Sequence, residues 1–96
     1  MIEWRNEQGQ LHKVDGPAVE HEDGYQEWYL NGKRHRADGP AVMFPSGSKY
    51  WYLNDQLHRV DGPAIECVNG YKEWRLDGVQ VDQLEHWLLV STKETV

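Results

Sequence analysis

The chain has 96 residues and a net charge of −6, which indicates one small domain, residues 1–96, with a modest core. The acidic balance argues against a nucleic-acid or anionic-membrane surface as its main role, and no apolar run approaches the roughly 20 residues that cross a bilayer. Its lone cysteine, Cys67, excludes an internal disulfide, and no signal-peptide pattern follows Met1, so we expect a cytoplasmic protein.

One motif, His-(Lys/Arg)-x-Asp-Gly-Pro-Ala, begins at His12, His35 and His58, at an interval of 23 residues each time. Tryptophans follow nearly the same period, at Trp4, Trp28, Trp51 and Trp74. A fixed period of this length is typical of stacked-repeat proteins, whose terminal units are irregular because they lack one neighbour. We therefore predict repeat units at about residues 3–26, 27–49, 50–72 and 73–80.

Each unit is predicted to hold two β-strands and two turns. Residues 41–44 lead into the turn former Pro45-Ser46-Gly47, and residues 49–53, rich in aromatic side chains, leave it. Asn31-Gly32 is a strong hairpin signal because both residues tolerate positive φ. Gly39-Pro40 makes a rigid corner because proline fixes its own φ and has no N–H to donate.

These elements predict a mainly β fold, an antiparallel meander of tandem 23-residue hairpin repeats that forms a single curved sheet with a short C-terminal capping helix. Alternation along each second strand separates a Trp and Leu face from a face of Tyr, Glu and Arg. We expect the apolar face, with one residue of the helix, to form the core: Trp4, Trp28, Trp51, Trp74, Leu30, Leu53, Leu76 and Trp87.

The terminal helix is predicted at about residues 82–91. Asp82 and Glu85 have the spacing of a capping box, and Leu84, Trp87 and Leu88 lie on one side, which is expected to cover the sheet. About nine helical residues span roughly 14 Å, enough for two or three strands at about 4.8 Å each. We therefore expect either that the sheet curls around its own indoles or that another chain covers part of it.

The repeated motif is interpreted as scaffold. Equivalent residues of neighbouring units are predicted roughly 9–10 Å apart, two strand spacings, whereas the ligands of one Zn²⁺ lie about 2 Å from the metal. Catalysis needs one asymmetric pocket with groups of different pKa, which similar copies along a sheet do not supply. We expect no catalytic residue, no metal and no cofactor.

The scaffold role that we predict for the motif is a structural turn. Its residues are Asp15, Gly16, Pro17, Asp38, Gly39, Pro40, Asp61, Gly62 and Pro63. We expect the Asp of each turn to accept hydrogen bonds from the Arg or His of the following unit and so to hold the register of the stack. The glycine is needed because a Cβ would clash in the corner.

The best binding candidate is a group of tyrosines and basic residues in the middle units, because Tyr and Arg are enriched at interface hot spots. One alternative is a cross-strand tyrosine ladder that only stabilises the sheet. Another is base stacking on the same rings, which would suit single-stranded nucleic acid. The predicted partner-binding residues are Tyr29, Tyr50, Tyr52, Lys33, Arg34, Arg36 and Lys49.

The period and the pattern Gly-x-x-x-Trp-Tyr-x-Asn-Gly resemble the MORN repeat (membrane occupation and recognition nexus). The matching segments are Gly24 to Gly32, Gly47 to Asp55 and Gly70 to Gly78. The corner motif departs from the usual consensus and is similar to variants found in bacterial, phage and giant-virus proteins. The resemblance implies an elongated meander of β-hairpins that acts as a scaffold, a partner-binding module or a lipid-associated element, and some bacterial variants are antitoxin-like.

The sequence thus predicts a non-catalytic repeat protein that binds another protein. It would be a small regulator or inhibitor, such as an antitoxin or a phage counter-defence protein, with acidic ends that mimic nucleic acid. The first alternative is a structural module that dimerises through the aromatic face of its sheet. The second is a surface for lipid or single-stranded nucleic acid, centred on residues 29–52.

Overall fold

Residues 1–94 are described by a computed structural model, and they hold twelve short β-strands and one α-helix. Residues 95 and 96 of the predicted domain lie outside the described residues. The elements are β1 (Ile2–Glu3), β2 (Val19–Glu20), β3 (Gln26–Glu27), β4 (Tyr29–Leu30), β5 (Lys33–Arg34), β6 (Val42–Met43), β7 (Lys49–Tyr50), β8 (Tyr52–Leu53), β9 (Gln56–Leu57), β10 (Ile65–Glu66), β11 (Lys72–Leu76), β12 (Val79–Val81) and α1 (Gln83–Glu94).

The predicted antiparallel meander with a C-terminal helix is confirmed. Eight strands form one sheet in the order β1-β2-β3-β6-β7-β10-β11-β12, and β4-β5 and β8-β9 form two further hairpins beside it. Each middle unit therefore contains four short strands where two were expected. The long second strand is divided at its tryptophan, because β3 pairs with β2 and β6 in the large sheet while β4 pairs with β5.

Backbone geometry explains the tight hairpins. Asn31 and Gly32 have φ of 50° and 81°, and Asn54 and Asp55 have φ of 49° and 69°. Positive φ at both central positions is the signature of a turn whose twist matches that of the flanking strands, which confirms the predicted hairpin at Asn31-Gly32. Asp55 adopts this conformation with a side chain, at a steric cost that the glycine avoids.

The buried core is built from small residues that follow the Gly-Pro corners. Ala18, Ala41 and Ala64 are fully buried, and each is followed by a buried β-branched residue: Val19, Val42 and Ile65. Leu76 is also buried, as predicted. The remaining predicted core residues of the inner units are half-buried: Trp28, Trp51, Trp74, Leu30 and Leu53.

Two predicted core residues, Trp4 and Trp87, are exposed. Trp4 is 48% exposed because it belongs to the terminal unit, where no preceding unit covers it. Trp87 is 62% exposed because α1 presents another face to the sheet. The structure measures 40 × 32 × 18 Å along its principal axes. A body only 18 Å thick has little room to enclose large side chains, so alanines take the most buried positions.

The helix begins at the predicted capping box. The backbone N–H of Glu85 donates to Asp82 Oδ1 at 2.7 Å, and the N–H of Asp82 donates to Glu85 Oε1 at 3.4 Å. The expected packing side is wrong, because Leu84 is 66% exposed and Leu88 is also exposed. The side that meets the sheet carries the buried His86 and the half-buried Val90. Within the described residues, no helix is long and apolar enough to cross a lipid bilayer.

Candidate functional site

The basic residue of each corner motif covers a tryptophan of its own unit. The guanidinium of Arg36 lies 3.9 Å from the ring centre of Trp28, and that of Arg59 lies 3.8 Å from Trp51. Lys13 covers Trp4 less closely, with its ammonium 4.5 Å from the ring centre. A cation over an indole is stabilising by about 0.5–2 kcal/mol, depending on burial.

The Asp of the motif holds the Arg in place. Arg36 Nε donates to Asp38 Oδ1 at 2.9 Å, and its NH1 donates to the carbonyl of Pro40 at 3.2 Å. Arg59 repeats both bonds with Asp61 and Pro63. The expectation that the following unit reaches this Asp is therefore wrong for both aspartates, because each is bonded by its own motif's arginine. The hydrogen bond and charge of Arg36 also lower the pKa of Asp38 below its usual value.

The glycine of the motif leaves room for the guanidinium. A Cβ built on Gly39 would lie 2.8 Å from Arg36 Cζ, and one on Gly62 would lie 2.9 Å from Arg59 Cζ. The predicted clash is confirmed at these two corners, and its source is the stacked arginine.

The histidine of the motif joins neighbouring units. Nδ1 of His12, His35 and His58 accepts a hydrogen bond from the backbone N–H of Asn31, Asn54 and Asp77, at 2.9, 3.1 and 2.9 Å respectively. Since Nδ1 accepts, a neutral ring carries its proton on Nε2. The contact between units thus comes from His, while Asp acts inside the corner.

The row of histidine hydrogen bonds between units, which we call the ladder, is closed at both ends by other residues. In the last unit, Val81 stands seven residues after the tryptophan, where the inner units have their histidine, so it offers no side-chain acceptor to a further unit. In the first unit, Asn6 Oδ1 accepts the backbone N–H groups of Gln8 and Gln10, both at 3.0 Å. Asn6 thus takes the place of a preceding unit's histidine as the acceptor for the N–H groups of the first turn.

Two open grooves run between successive corners. The first, of about 500 Å³, lies between the corners at Lys13 and Arg36, and its floor is Trp28, Leu30 and His35. The second, of about 590 Å³, lies between the corners at Arg36 and Arg59, and its floor is Trp51, Leu53 and His58.

A third and smaller groove, of about 280 Å³, has α1 as one wall. Residues 60–62 form the opposite wall, Trp74 lies between them, and the helix contributes His86 and Trp87. His86 Nε2 lies 2.6 Å from the carbonyl oxygen of Arg59, so Nε2 carries the proton and donates it. The helix thus replaces a fourth corner. We call the surface formed by the three corners, their grooves and the outer side of α1 the corner face.

The corner face exposes carboxylates and apolar tips. The Asp38 side chain is 81% exposed and its partner Arg36 only 21%, and the second pair has the same asymmetry. Val14 is 78% exposed, and Val60, Leu84 and Trp87 are also exposed. An approaching molecule therefore meets negative charge and apolar groups before it meets a guanidinium.

The structure divides the predicted tyrosine site. Arg34 lies between Tyr29 and Tyr52, 5.7 and 5.5 Å from their ring centres, and its NH2 pairs with Glu27 Oε2 at 2.9 Å. The hydroxyl of Tyr29 donates to the same carboxylate at 2.9 Å. Burial and this acceptor raise the pKa of Tyr29 to about 12. These four side chains, Glu27, Tyr29, Arg34 and Tyr52, are half-buried and form one cluster around Arg34.

The other predicted binding residues lie elsewhere. Tyr50 contacts Phe44, with ring centres 5.1 Å apart, and Phe44 contacts Tyr25 at 5.4 Å. Arg36 belongs to the corner face. Lys49 lies on β7, and Lys33 is exposed on β5. The corner face was missed as a site, although a basic residue eight positions after each inner tryptophan was a signal in the sequence.

No three His, Cys, Asp or Glu side chains lie close enough to hold a metal ion in the part of the chain that the structure describes. Comparison with known proteins yields no match to a family model, to a curated protein or to a solved structure. Any function must therefore be argued from the chain's own surface.

Proposed function

We propose that this chain is a non-catalytic repeat protein that binds another protein through its corner face. The observation that supports this most is the continuity of the face. The two open grooves share the corner at Arg36, and the third shares Val60 with the second and ends at Trp87. Apolar surface beside polar groups is typical of protein interaction sites, where Trp and Arg are enriched.

The closed ends of the ladder favour a partner of a different kind over stacking of further copies. An open stack would grow through the histidine acceptors and turn donors of its terminal units. Here Val81 stands at the acceptor position of the last unit, and Asn6 already accepts the N–H of Gln8 in the first turn. A partner protein would therefore bind to a side of the stack, such as the corner face.

A small acidic chain of this kind suits a regulator or inhibitor that acts by covering a partner's surface. The net charge of −6 and the outward carboxylates of Asp38 and Asp61 favour a partner with a basic surface. An antitoxin or a phage counter-defence protein, acting in the cytoplasm as a mimic of nucleic acid, would have these properties.

Affinity capture from the native cell tests the proposal. We expect the wild-type protein to retain a partner and the Val60→Lys/Trp87→Lys variant to lose it, because both changes put positive charge on the corner face and repel a basic partner. The matched control is Val68→Lys/Tyr71→Lys, which alters two exposed residues at the β10–β11 turn. Equal capture by all three proteins would refute the corner face as the site.

In the same experiment, the variant Tyr29→Ala/Tyr52→Ala tests whether the tyrosine group, and not the corner face, is the binding site. Loss of capture in this variant alone would move the site to Tyr29, Arg34 and Tyr52. Light scattering over a range of concentrations separates a further alternative, since dimerisation through the sheet face requires the mass to double while a monomer excludes it.

A further inference from the structure

We propose that the corner face recognises a basic segment of a partner protein. The Lys or Arg side chains of this segment, about 10 Å apart, pair with the corner aspartates and pack their aliphatic stems in the grooves. This inference rests on the proposed function and specifies the chemistry of the partner.

The first argument is the fixed asymmetry of each Arg–Asp pair. Arg36 is held by the Trp28 ring, by Asp38 and by the carbonyl of Pro40, so its charge is committed within the corner. Asp38 uses Oδ1 for Arg36, and its side chain faces solvent. Arg36 also lowers the pKa of this carboxyl, which keeps it negative in mildly acidic solution. A cation from outside is attracted by a carboxylate whose own counter-ion is turned inward.

The second argument is spacing. The strands that follow successive corners, β2, β6 and β10, occupy alternate positions in the sheet. Neighbouring strands lie about 4.8 Å apart, so Asp15, Asp38 and Asp61 form a row with a step of about 10 Å. A peptide in the polyproline II conformation has three residues per turn and advances about 3.1 Å per residue, so basic side chains at every third position lie on one side and match this row.

The third argument is the chemistry of the groove floors. Trp28 with Leu30, and Trp51 with Leu53, line the grooves between the carboxylates with apolar groups. Lys and Arg combine a cationic end with an apolar stem, and the stem packs on such surfaces while the charge stays at the rim. Nucleic acid and anionic lipid would instead meet repulsion from the outward carboxylates.

A labelled synthetic peptide with Lys at every third position, separated by Leu and Ser, tests the inference by fluorescence anisotropy. We expect the peptide to bind at low salt and to weaken as salt rises, and we expect its Glu-for-Lys counterpart not to bind. Asp38→Asn/Asp61→Asn should bind about tenfold more weakly, on the scale of exposed charge pairs. The amide oxygen of Asn can still accept from Arg36 or Arg59, so the corners are retained.

The matched control is Glu22→Gln/Asp23→Asn, which removes two charges at the turn between β2 and β3, at the opposite end of the hairpin from the corner. This control should bind as the wild type does. A second variant, Asp15→Asn, alters a carboxylate with no ion pair among the described residues and should weaken binding without affecting the fold.

Equal binding of both peptides, no binding of either, or equal weakening in the control would overturn the inference, as would stronger binding of a single-stranded oligonucleotide or of anionic vesicles. The proposed function is tested separately. If capture still depends on Val60 and Trp87 while the Lys peptide fails, protein binding by the corner face stands and only the basic partner is withdrawn.

Discussion

His35 and Asn54 are 19 positions apart in the chain and join two neighbouring units directly: the backbone N–H of Asn54 donates to His35 Nδ1 at 3.1 Å. Asn54 begins a turn with positive φ. The histidine of the preceding unit supplies the acceptor. Its recurrence at His12 and His58 makes it the common link of the stack.

Replacing His35 should therefore destabilise the protein. His35→Ala leaves the Asn54 N–H without its acceptor, and we expect the free energy of unfolding to fall by about 1–2 kcal/mol, as measured by urea denaturation. His21→Ala, at an exposed site that makes only a ring contact with Tyr25, is the control and should change it by less than about 0.5 kcal/mol. Equal effects of the two substitutions would show that the link contributes nothing.

Adding a methyl group at Gly39 should disturb the arginine stack. The new Cβ would lie 2.8 Å from Arg36 Cζ, so the guanidinium must leave Trp28 or shift on it. At Gly16, the nearest atom is Lys13 Nζ at 3.3 Å, so the lysine need move by only a few tenths of an ångström. We expect Gly39→Ala to lower stability by about 1 kcal/mol more than Gly16→Ala, with a change in tryptophan fluorescence; the reverse order would contradict the stack.

Alkaline pH should weaken the fold through Tyr29. Its pKa is raised from 10.0 to about 12 by burial and by its hydrogen bond to Glu27, so the folded state keeps a proton that the unfolded state releases. The stabilisation is complete below pH 10 and is lost as the pH rises toward about 12. Tyr29→Phe should show a smaller fall in thermal stability across this window. If thermal stability fell equally in Tyr29→Phe and the wild type, groups other than Tyr29 would be responsible for the loss.

His86 should hold the helix to the third corner, while the outer leucine should not. His86→Ala removes the bond to the Arg59 carbonyl and leaves a small cavity, so we expect faster amide exchange throughout α1 and a loss of about 1–3 kcal/mol. Leu84→Ala changes a side chain that is 66% exposed and should leave exchange nearly unchanged. Equal protection in both variants would mean that the helix is held elsewhere.

Elements that depend on neighbouring residues were predicted well. The hairpin at Asn31-Gly32 follows from the φ angles that those residues tolerate, and the capping box at Asp82 follows from a three-residue spacing. Packing was predicted less well. Alternation placed Trp28 in the core, but the structure leaves it half-buried beneath Arg36, a residue eight positions later.

The candidate site shows the same limit. Tyr29, Tyr52 and Arg34 were expected to be available to a partner, and they lie close together. The Tyr29 hydroxyl and the Arg34 guanidinium are, however, bonded to Glu27, and Arg34 also contacts the Tyr52 ring. The corner face was not predicted as a site, because its grooves exist only between units.

The sequence by itself determined the repeat period, the turns, the β class and the start of the helix, since each depends on the conformational preferences of a few adjacent residues. Only the tertiary structure decided which partner each repeated side chain takes. His12, His35 and His58 reach the next unit, the corner aspartates Asp38 and Asp61 stay with their own arginines, and α1 turns Leu84 and Trp87 outward. These outcomes depend on distances between strands and on space left by neighbouring units, and no local preference specifies them.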